Sequence, residues 1–265
     1  MPVYLATSRY LKRCNLNSPA KLVDLGCGTG RDLSYLESTH PQLEIWGVDY
    51  SHAVVQYARK HYSRPGLIFA RSDATAPDEY PDSAFDFVLS SHVMEHLKRE
   101  DARRFLAQSF RLLKSGGYLF VGTPERRHWQ DLYFKNIGDK PAWRLFQAHE
   151  HEYTLTELKS LARDIFPPEK VVIHKLSNPM YHEIFLASIN KIKPGFGVVN
   201  VIRRTLLQES RRLCPRRLFD LVVRTGMQTA LKLRKMTWYD LLRCNRIDSE
   251  ERPGIADNLF LVCRK

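Results

Sequence analysis

The stretch VDLGCGTG, residues 23–30, decides the fold of this 265-residue chain. It overlaps a short apolar run at 21–25, which predicts a strand, and it precedes a segment of helical character at 32–38. Glycines let the backbone approach a ligand without a Cβ in the way, and a helix N-terminus presents unpaired N–H groups. A glycine loop between a strand and a helix therefore predicts a nucleotide site at the carboxyl edge of an open sheet.

Strands and helices alternate along most of the chain around this loop. Short apolar runs predict strands, and apolar residues at helical spacing predict helices. Such alternation is typical of βαβ units, in which helices cover both faces of a parallel sheet. Ser-Gly-Gly at 115–117 predicts the end of the fourth helix, and Ser51 is the predicted N-cap of the third. The predicted strands lie at 21–25, 43–48, 67–70, 85–90, 118–122, 171–174 and 258–263, and the predicted helices at 2–16, 32–38, 51–62, 101–113 and 155–164.

The spacing of the glycines distinguishes between two kinds of cofactor. A dinucleotide loop follows G-x-G-x-x-G, whose third glycine would fall on Arg31 here. The chain instead has D-x-G-x-G-x-G over residues 24–30. Asp49 ends the second predicted strand 19 residues after Gly30, where a carboxylate can accept hydrogen bonds from both ribose hydroxyls. The pattern therefore favours a nucleoside ligand other than a dinucleotide.

The loop and five further stretches resemble the class I S-adenosylmethionine-dependent methyltransferases, especially small-molecule members similar to the ubiquinone-biosynthesis enzymes. The resemblance covers residues 1–176 and the last predicted strand. It implies a Rossmann-like, doubly wound, mostly parallel seven-stranded sheet with an antiparallel last strand. It also implies S-adenosyl-L-methionine as the cofactor. The five stretches are VDYS (48–51), SDA (72–74), FDFVLSSHVMEHL (85–97), LLKSGGYLFVGTPE (112–125) and HEYTLTELKSLA (151–162).

The same resemblance implies which residues bind the cofactor. Asp49 would bind the ribose, Tyr50 would lie beside the adenine, and Asp73 would accept from the adenine amino group. Tyr10 and Arg9 of the first helix could close over the methionine end. The cofactor is a cation, so carboxylates at strand ends suit it, and the alternative is that they only form turns or caps. The predicted cofactor-binding residues are Asp24, Gly26, Cys27, Gly28, Gly30, Asp49, Tyr50, Asp73, Ala74 and Ser90.

Histidines supply the candidates for a catalytic base. Methyl transfer from a sulfonium is an in-line displacement, and a hydroxyl acceptor must also lose a proton. His92 and His96 follow the fourth predicted strand, and their spacing puts them on one face if that segment is helical. His149 and His151 precede the helix at 155–164. Each of the four is a candidate base, and the alternative for each is a hydrogen-bonded structural histidine.

Two known metal motifs come close to the segment after the fourth strand. Residues 92–96 match the H-x-x-E-H string of some metalloproteases, a match that we attribute to chance after a methyltransferase-like strand. Ubiquinone-pathway O-methyltransferases carry Glu-x-x-Glu-His at a similar place and can hold a divalent ion there. In this chain His92 stands in the first position of that pattern, so we predict no metal site.

The predicted reaction is transfer of a methyl group to a hydroxyl of a small-molecule, glycan or lipid-linked acceptor. Among enzymes, the alternative is a nucleic-acid or protein methyltransferase. The alternative that is not an enzyme is a catalytically silent cofactor-binding protein of the same fold. The sequence at 90–92, Ser-Ser-His, differs from the Asn-Pro-Pro-Tyr string of enzymes that methylate amino groups of nucleic acids. The sequence has no zinc finger or known RNA-binding module, so a nucleic-acid partner is disfavoured.

Positive charge is concentrated in one segment. The chain has a net charge of +12, and residues 191–246 hold 14 Lys and Arg against three acidic residues. The other residues hold 27 basic and 26 acidic side chains, so any electrostatic partner must meet that segment. We interpret 177–256 as a basic, mostly helical insertion into a cofactor-binding core formed by 1–176 and 257–265.

The insertion has three interpretations. It could form a solvated lid, a clamp for a membrane surface or an anionic acceptor, or a nucleic-acid surface, which its sparse aromatic residues disfavour. We expect basic amphipathic helices at 198–213 and 216–236 that cover the pocket and select an anionic or lipid-linked acceptor.

The sequence also predicts the cellular setting. It lacks a run of 18 apolar residues and a signal-peptide pattern. Its five cysteines form no C-x-x-C pair, which favours a reducing compartment. We therefore expect a cytoplasmic protein, with peripheral membrane contact through 191–246.

Overall fold

The structure, a computed structural model, describes residues 2–14, 19–126, 149–177, 246–248 and 258–265. The chain divides into two compact units, and the first comprises Met1–Arg126, Phe146–Leu176 and Ile247–Lys265. Nearly all described residues belong to this first unit. The predicted insertion lies outside the described residues except at 177 and 246–248, so its two helices and its boundaries stay predictions.

Eight strands of the described residues form one sheet. They are β1 (Ala20–Leu25), β2 (Leu43–Asp49), β3 (Leu67–Arg71), β4 (Phe85–Ser91), β5 (Leu113–Pro124), β6 (Val171–Ser177), β7 (Arg246–Asp248) and β8 (Asn258–Arg264). Their order is β3-β2-β1-β4-β5-β8-β6-β7. Neighbours from β3 to β5 pair in parallel, and β8 runs antiparallel to β5 and β6. The predicted mostly parallel sheet with an antiparallel last strand is confirmed, and the short β7 extends its edge.

Helices cover both faces of the sheet. In the described parts of the chain they are α1 (Pro2–Arg13), α2 (Arg31–Thr39), α3 (His52–Tyr62), α4 (Arg99–Leu112) and α5 (Leu155–Arg163). Leu22 of β1 belongs to one buried cluster with Leu33 of α2. Its neighbour Val23 belongs to a second cluster with Phe105 of α4 and Leu158 of α5. Because successive side chains of a strand point to opposite faces, both faces of this sheet require a helical layer.

The strand order reverses beside β1. The chain passes from β1 outward to β2 and β3, and then returns to form β4 on the other side of β1. The loops after these strands therefore diverge in direction and leave a crevice at the carboxyl edge, where open α/β sheets bind ligands.

Two local predictions differ from the structure. Helix α4 ends at Leu112 and β5 begins at the next residue, so 115–117 lies within β5 instead of in a turn before it. Gly116 has a φ of +78° there, and the pairing of β4 with β5 shifts register, which accommodates the extra residues as a bulge. Ser51 precedes α3 as predicted, but its side chain makes no capping bond, and its N–H donates to Asp49 Oδ1.

Candidate active site

The loop between β1 and α2 brings bare backbone to the crevice. Gly26 and Gly28 have φ values of +89° and +55°, which favour glycine. A Cβ on Gly26 would lie 2.2 Å from Cγ2 of Val93, so a larger residue would displace the turn after β4. A Cβ on Gly28 would meet no atom of the described part of the chain within 4 Å, so this glycine borders open space there. The loop therefore leaves room for a ligand against its backbone at Gly28.

Two cavities lie at this edge of the sheet. The larger has a volume of about 710 Å³ and the smaller about 230 Å³. The larger falls within the range of small-molecule pockets, about 300–1,000 Å³. Both are lined by Gly26, Gly28, Ser91 and His92, so they meet between the glycine loop and the end of β4.

Asp49, at the end of β2, lines the larger cavity with a fixed carboxylate. Its Oδ2 accepts a hydrogen bond from the Gly28 N–H at 3.0 Å, and its Oδ1 accepts one from the Ser51 N–H at 2.9 Å. Each carboxylate oxygen can accept a second bond, so the pair remains suited to two adjacent hydroxyls.

The loop after β3 supplies the next wall of the larger cavity. Asp73 and Ala74 line it, and Oδ1 of Asp73 accepts hydrogen bonds from the N–H and the hydroxyl of Thr75, both at 2.8 Å. Tyr50 also lines it, with 69% of its surface exposed and the Arg71 guanidinium 5.5 Å from its ring. An exposed aromatic ring and a fixed carboxylate suit a purine base with an amino group.

A buried phenol–carboxyl pair adjoins the smaller cavity, which Tyr4 of α1 and Cys27 line. The Tyr4 hydroxyl donates to Asp24 Oδ2 at 2.7 Å, whereas the buried Oδ1 has no hydrogen-bond partner among the residues that the structure describes. Burial raises the pKa of Asp24 from 3.8 to about 7, although the Tyr4 bond opposes this change, and the charge of Asp32 adds to it. An unpaired buried carboxyl oxygen suits a ligand with a cationic amino group.

Three predicted cofactor residues line neither cavity. Asp24 is buried behind Tyr4, and Gly30 packs against the ring of Phe69. Ser90 is fully buried and donates its hydroxyl to the Leu25 carbonyl at 2.7 Å. The structure thus gives these residues supporting positions, and a direct role in binding stays a prediction.

His92 and His96 would share a face only in a helical segment, and the segment that holds them is not an α-helix. His92 has a φ of +60° and donates its N–H to the Gly122 carbonyl, and a 3-10 turn at Met94–His96 follows it. Nδ1 of His92 lies 2.9 Å from Oε1 of Glu95, whose Oε2 accepts from the Thr123 hydroxyl at 3.1 Å. Burial alone would raise the pKa of Glu95, but the hydrogen bond and charge of His92 lower it overall. His92 is therefore held at the cavity junction by an ionised carboxylate.

The other two candidate histidines lie on the segment before α5. The N–H groups of Glu150 and His151 donate to the Glu95 carbonyl at 2.7 and 3.1 Å. The His149 ring lies 5.0 Å from the His96 ring, and His96 lines the larger cavity. Burial lowers the pKa of His151. The side chains of His92, His96 and His149 thus lie around Glu95. His151 contacts Glu95 through its backbone N–H.

Several residues at the cavities escaped the sequence analysis, among them Tyr4, Ser91 and Arg104. Tyr4 lines the smaller cavity, whereas Tyr10 packs against Phe120 on the sheet and lines neither cavity. Ser91 lines both cavities and Arg104 lines the larger one. The register of β4 against its neighbours determines that Ser91 and not Ser90 faces the crevice, and single-strand patterns do not give that register.

The residues present fit S-adenosylmethionine. The cavities offer paired acceptors for a ribose, an aromatic wall for a base and bare glycine backbone, and the buried Asp24 carboxyl lies behind Tyr4 beside the smaller cavity. Fold and site together define a class I S-adenosylmethionine-dependent methyltransferase domain. Residues 23–121 match the family described as "Methyltransferase domain", and S-adenosylmethionine is the cofactor of this domain.

Three curated proteins illustrate the relationship. Phosphoethanolamine N-methyltransferase of Plasmodium falciparum is 25% identical over 154 residues, 57% of this chain and 57% of that protein. Phthiotriol/phenolphthiotriol dimycocerosates methyltransferase of Mycobacterium tuberculosis is 36% identical over 101 residues, 37% of this chain and 35% of that protein. Ubiquinone biosynthesis O-methyltransferase of Rhodopseudomonas palustris is 28% identical over 145 residues, 55% of each. The chain thus spans between 35% and 57% of the length of these relatives.

A solved structure shows the same fold. Phosphoethanolamine N-methyltransferase 2 of Haemonchus contortus, in complex with S-adenosyl-L-methionine, has a TM-score of 0.57 and 17% identity, and the match covers 98% of this chain and 52% of that one. Among the described residues, no helix is long and apolar enough to cross a membrane.

Proposed function

We propose that this protein is an active methyltransferase that methylates a hydroxyl group of a small-molecule or lipid-linked acceptor. The observation that carries this proposal is the His92–Glu95 pair where the two cavities meet. S-adenosylmethionine, when bound, supplies an electrophilic methyl group. The protein must hold the cofactor, orient the acceptor and remove one proton.

The glycine loop and two strand ends would hold the cofactor. Asp49 and Asp73 offer carboxylate oxygens to the nucleoside end in the larger cavity. Gly28 offers backbone between the two cavities, and the Tyr4–Asp24 pair offers negative charge beside the smaller one. These groups lie on β1 and β2, on the loops after β1 and β3, and on α1, all around one sheet edge, which fixes their spacing.

His92 would act as the general base through Nε2. An ionised Glu95 at Nδ1 favours the tautomer in which Nδ1 carries the proton, so the lone pair lies on Nε2. The same carboxylate stabilises the imidazolium that forms when Nε2 takes the hydroxyl proton. The left-handed backbone of His92 is unusual for a residue with a side chain, and such conformations are concentrated at functional sites.

The acceptor class is supported by the relatives and by one side chain. The names of the relatives mention phosphoethanolamine, phthiotriol and phenolphthiotriol dimycocerosates, and ubiquinone biosynthesis. Arg104 lines the larger cavity, where a cation would favour an anionic acceptor, although Asp101 lies 3.6 Å from it. We therefore extend the proposal to an acceptor that carries negative charge.

The test begins with the cofactor. Calorimetry should show micromolar binding of S-adenosylmethionine, and absence of binding would overturn the proposed enzyme. Cell extract is then incubated with the protein and cofactor carrying a labelled methyl group, and mass spectrometry identifies the methylated product and atom. A product methylated on oxygen supports the proposal, and a product methylated on nitrogen or carbon contradicts it.

Histidine variants then test the base. His92→Ala should lower the rate by about 10²–10⁴ while cofactor binding persists, because loss of a general base costs that much. His96→Ala, His149→Ala and His151→Ala should cost less, and exposed His61 on α3 gives the matched control His61→Ala. A loss of less than about tenfold in His92→Ala would remove it as the base.

A further inference from the structure

Two imidazoles and one carboxylate converge beside the larger cavity. The ligand atoms of Glu95, His96 and His149 all lie within 4.8 Å of one another. Two of these residues come from the turn after β4, and the third comes from the segment before α5. We propose that Glu95, His96 and His149 bind a divalent transition-metal ion, with Zn²⁺ the best match to this ligand set.

The two rings are already arranged for a shared ion. Their centroids are 5.0 Å apart, and their planes are inclined by 75°. Ligand nitrogens lie about 2.0–2.1 Å from zinc in a tetrahedral site, which puts two such nitrogens roughly 3.3 Å apart. The ligand atoms of Glu95, His96 and His149 lie within 4.8 Å of one another, so they would draw closer together when the ion binds.

A carboxylate behind His149 completes the pattern of a metal ligand. Nδ1 of His149 lies 2.8 Å from Oε1 of Glu152, which is 4% exposed. A histidine that binds a metal commonly donates its other ring N–H to a carboxylate, which fixes the tautomer and raises the basicity of the ligating nitrogen. In His149 that arrangement makes Nε2 the ligating atom.

Backbone hydrogen bonds hold the two segments together. The Glu95 carbonyl accepts from the N–H groups of Glu150 and His151 at 2.7 and 3.1 Å. The ligands are thus positioned by the fold before any ion arrives, which lowers the entropy lost on binding. The Glu95 side chain is fully buried, and His96 is exposed to the cavity. An ion could therefore enter from the cavity past His96 and bind the buried Glu95 carboxylate.

This site differs from the metal motifs that the sequence resembles. The string at 92–96 would place His92 among the ligands, whereas in the structure His149 takes that place and His92 is paired with Glu95 Oε1. Two nitrogens and one carboxylate suit Zn²⁺ and its transition-metal neighbours better than Mg²⁺, which prefers oxygen. With three protein ligands, a tetrahedral ion has one position left for an oxygen atom of water or of a ligand. If the proposed function holds, the hydroxyl oxygen of the methyl acceptor occupies that position.

Ion binding is measured on the full chain without any methyl acceptor. Protein stripped with a chelator is titrated with ZnCl₂ by calorimetry, and with Co²⁺ by visible absorption, which reports tetrahedral coordination. One saturable site should appear. His96→Ala and His149→Ala should weaken it by more than about 100-fold, and Glu152→Gln by about 10–100-fold, as for partners behind a ligand. His61→Ala should leave it unchanged.

Folding is checked by circular dichroism and by cofactor binding, and His149→Gln replaces His149→Ala if the latter unfolds. Zinc binding of equal strength in the wild type and in folded variants of His96 and His149 would overturn the proposal, as would the absence of a saturable site. A protein that binds Zn²⁺ through these residues but transfers no methyl group contradicts the proposed function and leaves this inference intact.

Discussion

At the scale of single residues, we expect Asp24 to make cofactor binding depend on pH. Its pKa of about 7 means that the free protein holds a proton there at pH 6 and loses it by pH 8. A cationic cofactor favours the ionised carboxyl, so its affinity should rise over that interval, with proton release on binding at pH 6. Calorimetry in buffers of different ionisation enthalpy measures the cofactor affinity and the number of protons released. The same pH dependence in Asp24→Asn would rule out this residue as the cause.

The same carboxyl should make folding of the free protein pH-dependent. Its folded pKa is about 7 and its ordinary value is 3.8, so the folded state keeps a proton that the unfolded state releases between these values. The contribution of this carboxyl to the free energy of unfolding is therefore greatest below pH 4. Up to about 4 kcal/mol of that contribution is lost as the pH rises to 7. Asp24→Asn should unfold at higher urea than the wild type at pH 8. Equal midpoints there would contradict the assigned burial.

Asp49 should contribute to cofactor affinity and little to the fold. Loss of charge-assisted hydrogen bonds to the ribose should weaken binding by about 1.5–3 kcal/mol in Asp49→Ala, measured by calorimetry. Asp164→Ala serves as the control, because this carboxylate pairs with Arg103 on the surface. Unchanged cofactor affinity in a folded Asp49→Ala protein would remove Asp49 from the site.

At the scale of elements, α1 reaches the site through a close contact with β5. A Cβ on Gly122 would lie 2.1 Å from Cγ2 of Val3, so the helix depends on a glycine beneath it. Gly122→Ala should lower stability by about 1–3 kcal/mol through overpacking, and displacement of Tyr4 should weaken cofactor binding. Adding Val3→Ala should return part of both losses. Urea unfolding and calorimetry of the three variants measure this, and strictly additive losses would contradict the contact.

The sequence predicted elements well because their periodicity is local. It predicted the site only where a residue's place follows from its own strand. Asp49 ends β2 and Asp73 lies two residues after the end of β3, so both reach the crevice. His92 and His96 did not share a face, because a left-handed residue interrupts the segment. That conformation is held by Gly122, a contact between distant parts of the chain that spacing does not reveal.

At the scale of the whole molecule, the basic segment at 191–246 lies almost wholly outside the described residues, so its role stays a prediction. We expect the protein to bind anionic vesicles in co-sedimentation and to dissociate as salt rises, because salt screens exposed charges. Binding should fall when four arginines of this segment are neutralised, and neutralising four exposed arginines in the described domain is the control. If the protein does not bind anionic vesicles at low salt, the predicted membrane contact is wrong. The arginines to be neutralised are Arg203, Arg204, Arg211 and Arg212.

The position of β8 affects how the chain can fold during synthesis. Strand β8 pairs with β5 on one side and β6 on the other, although it is made after both. While the ribosome translates residues 178–257, the nascent chain carries β5 and β6 with unpaired edges, which are sites of mispairing. The sheet closes only after 258–264 leave the exit tunnel. Ribosomes stalled before that point should therefore display a protease-sensitive intermediate that recruits chaperones.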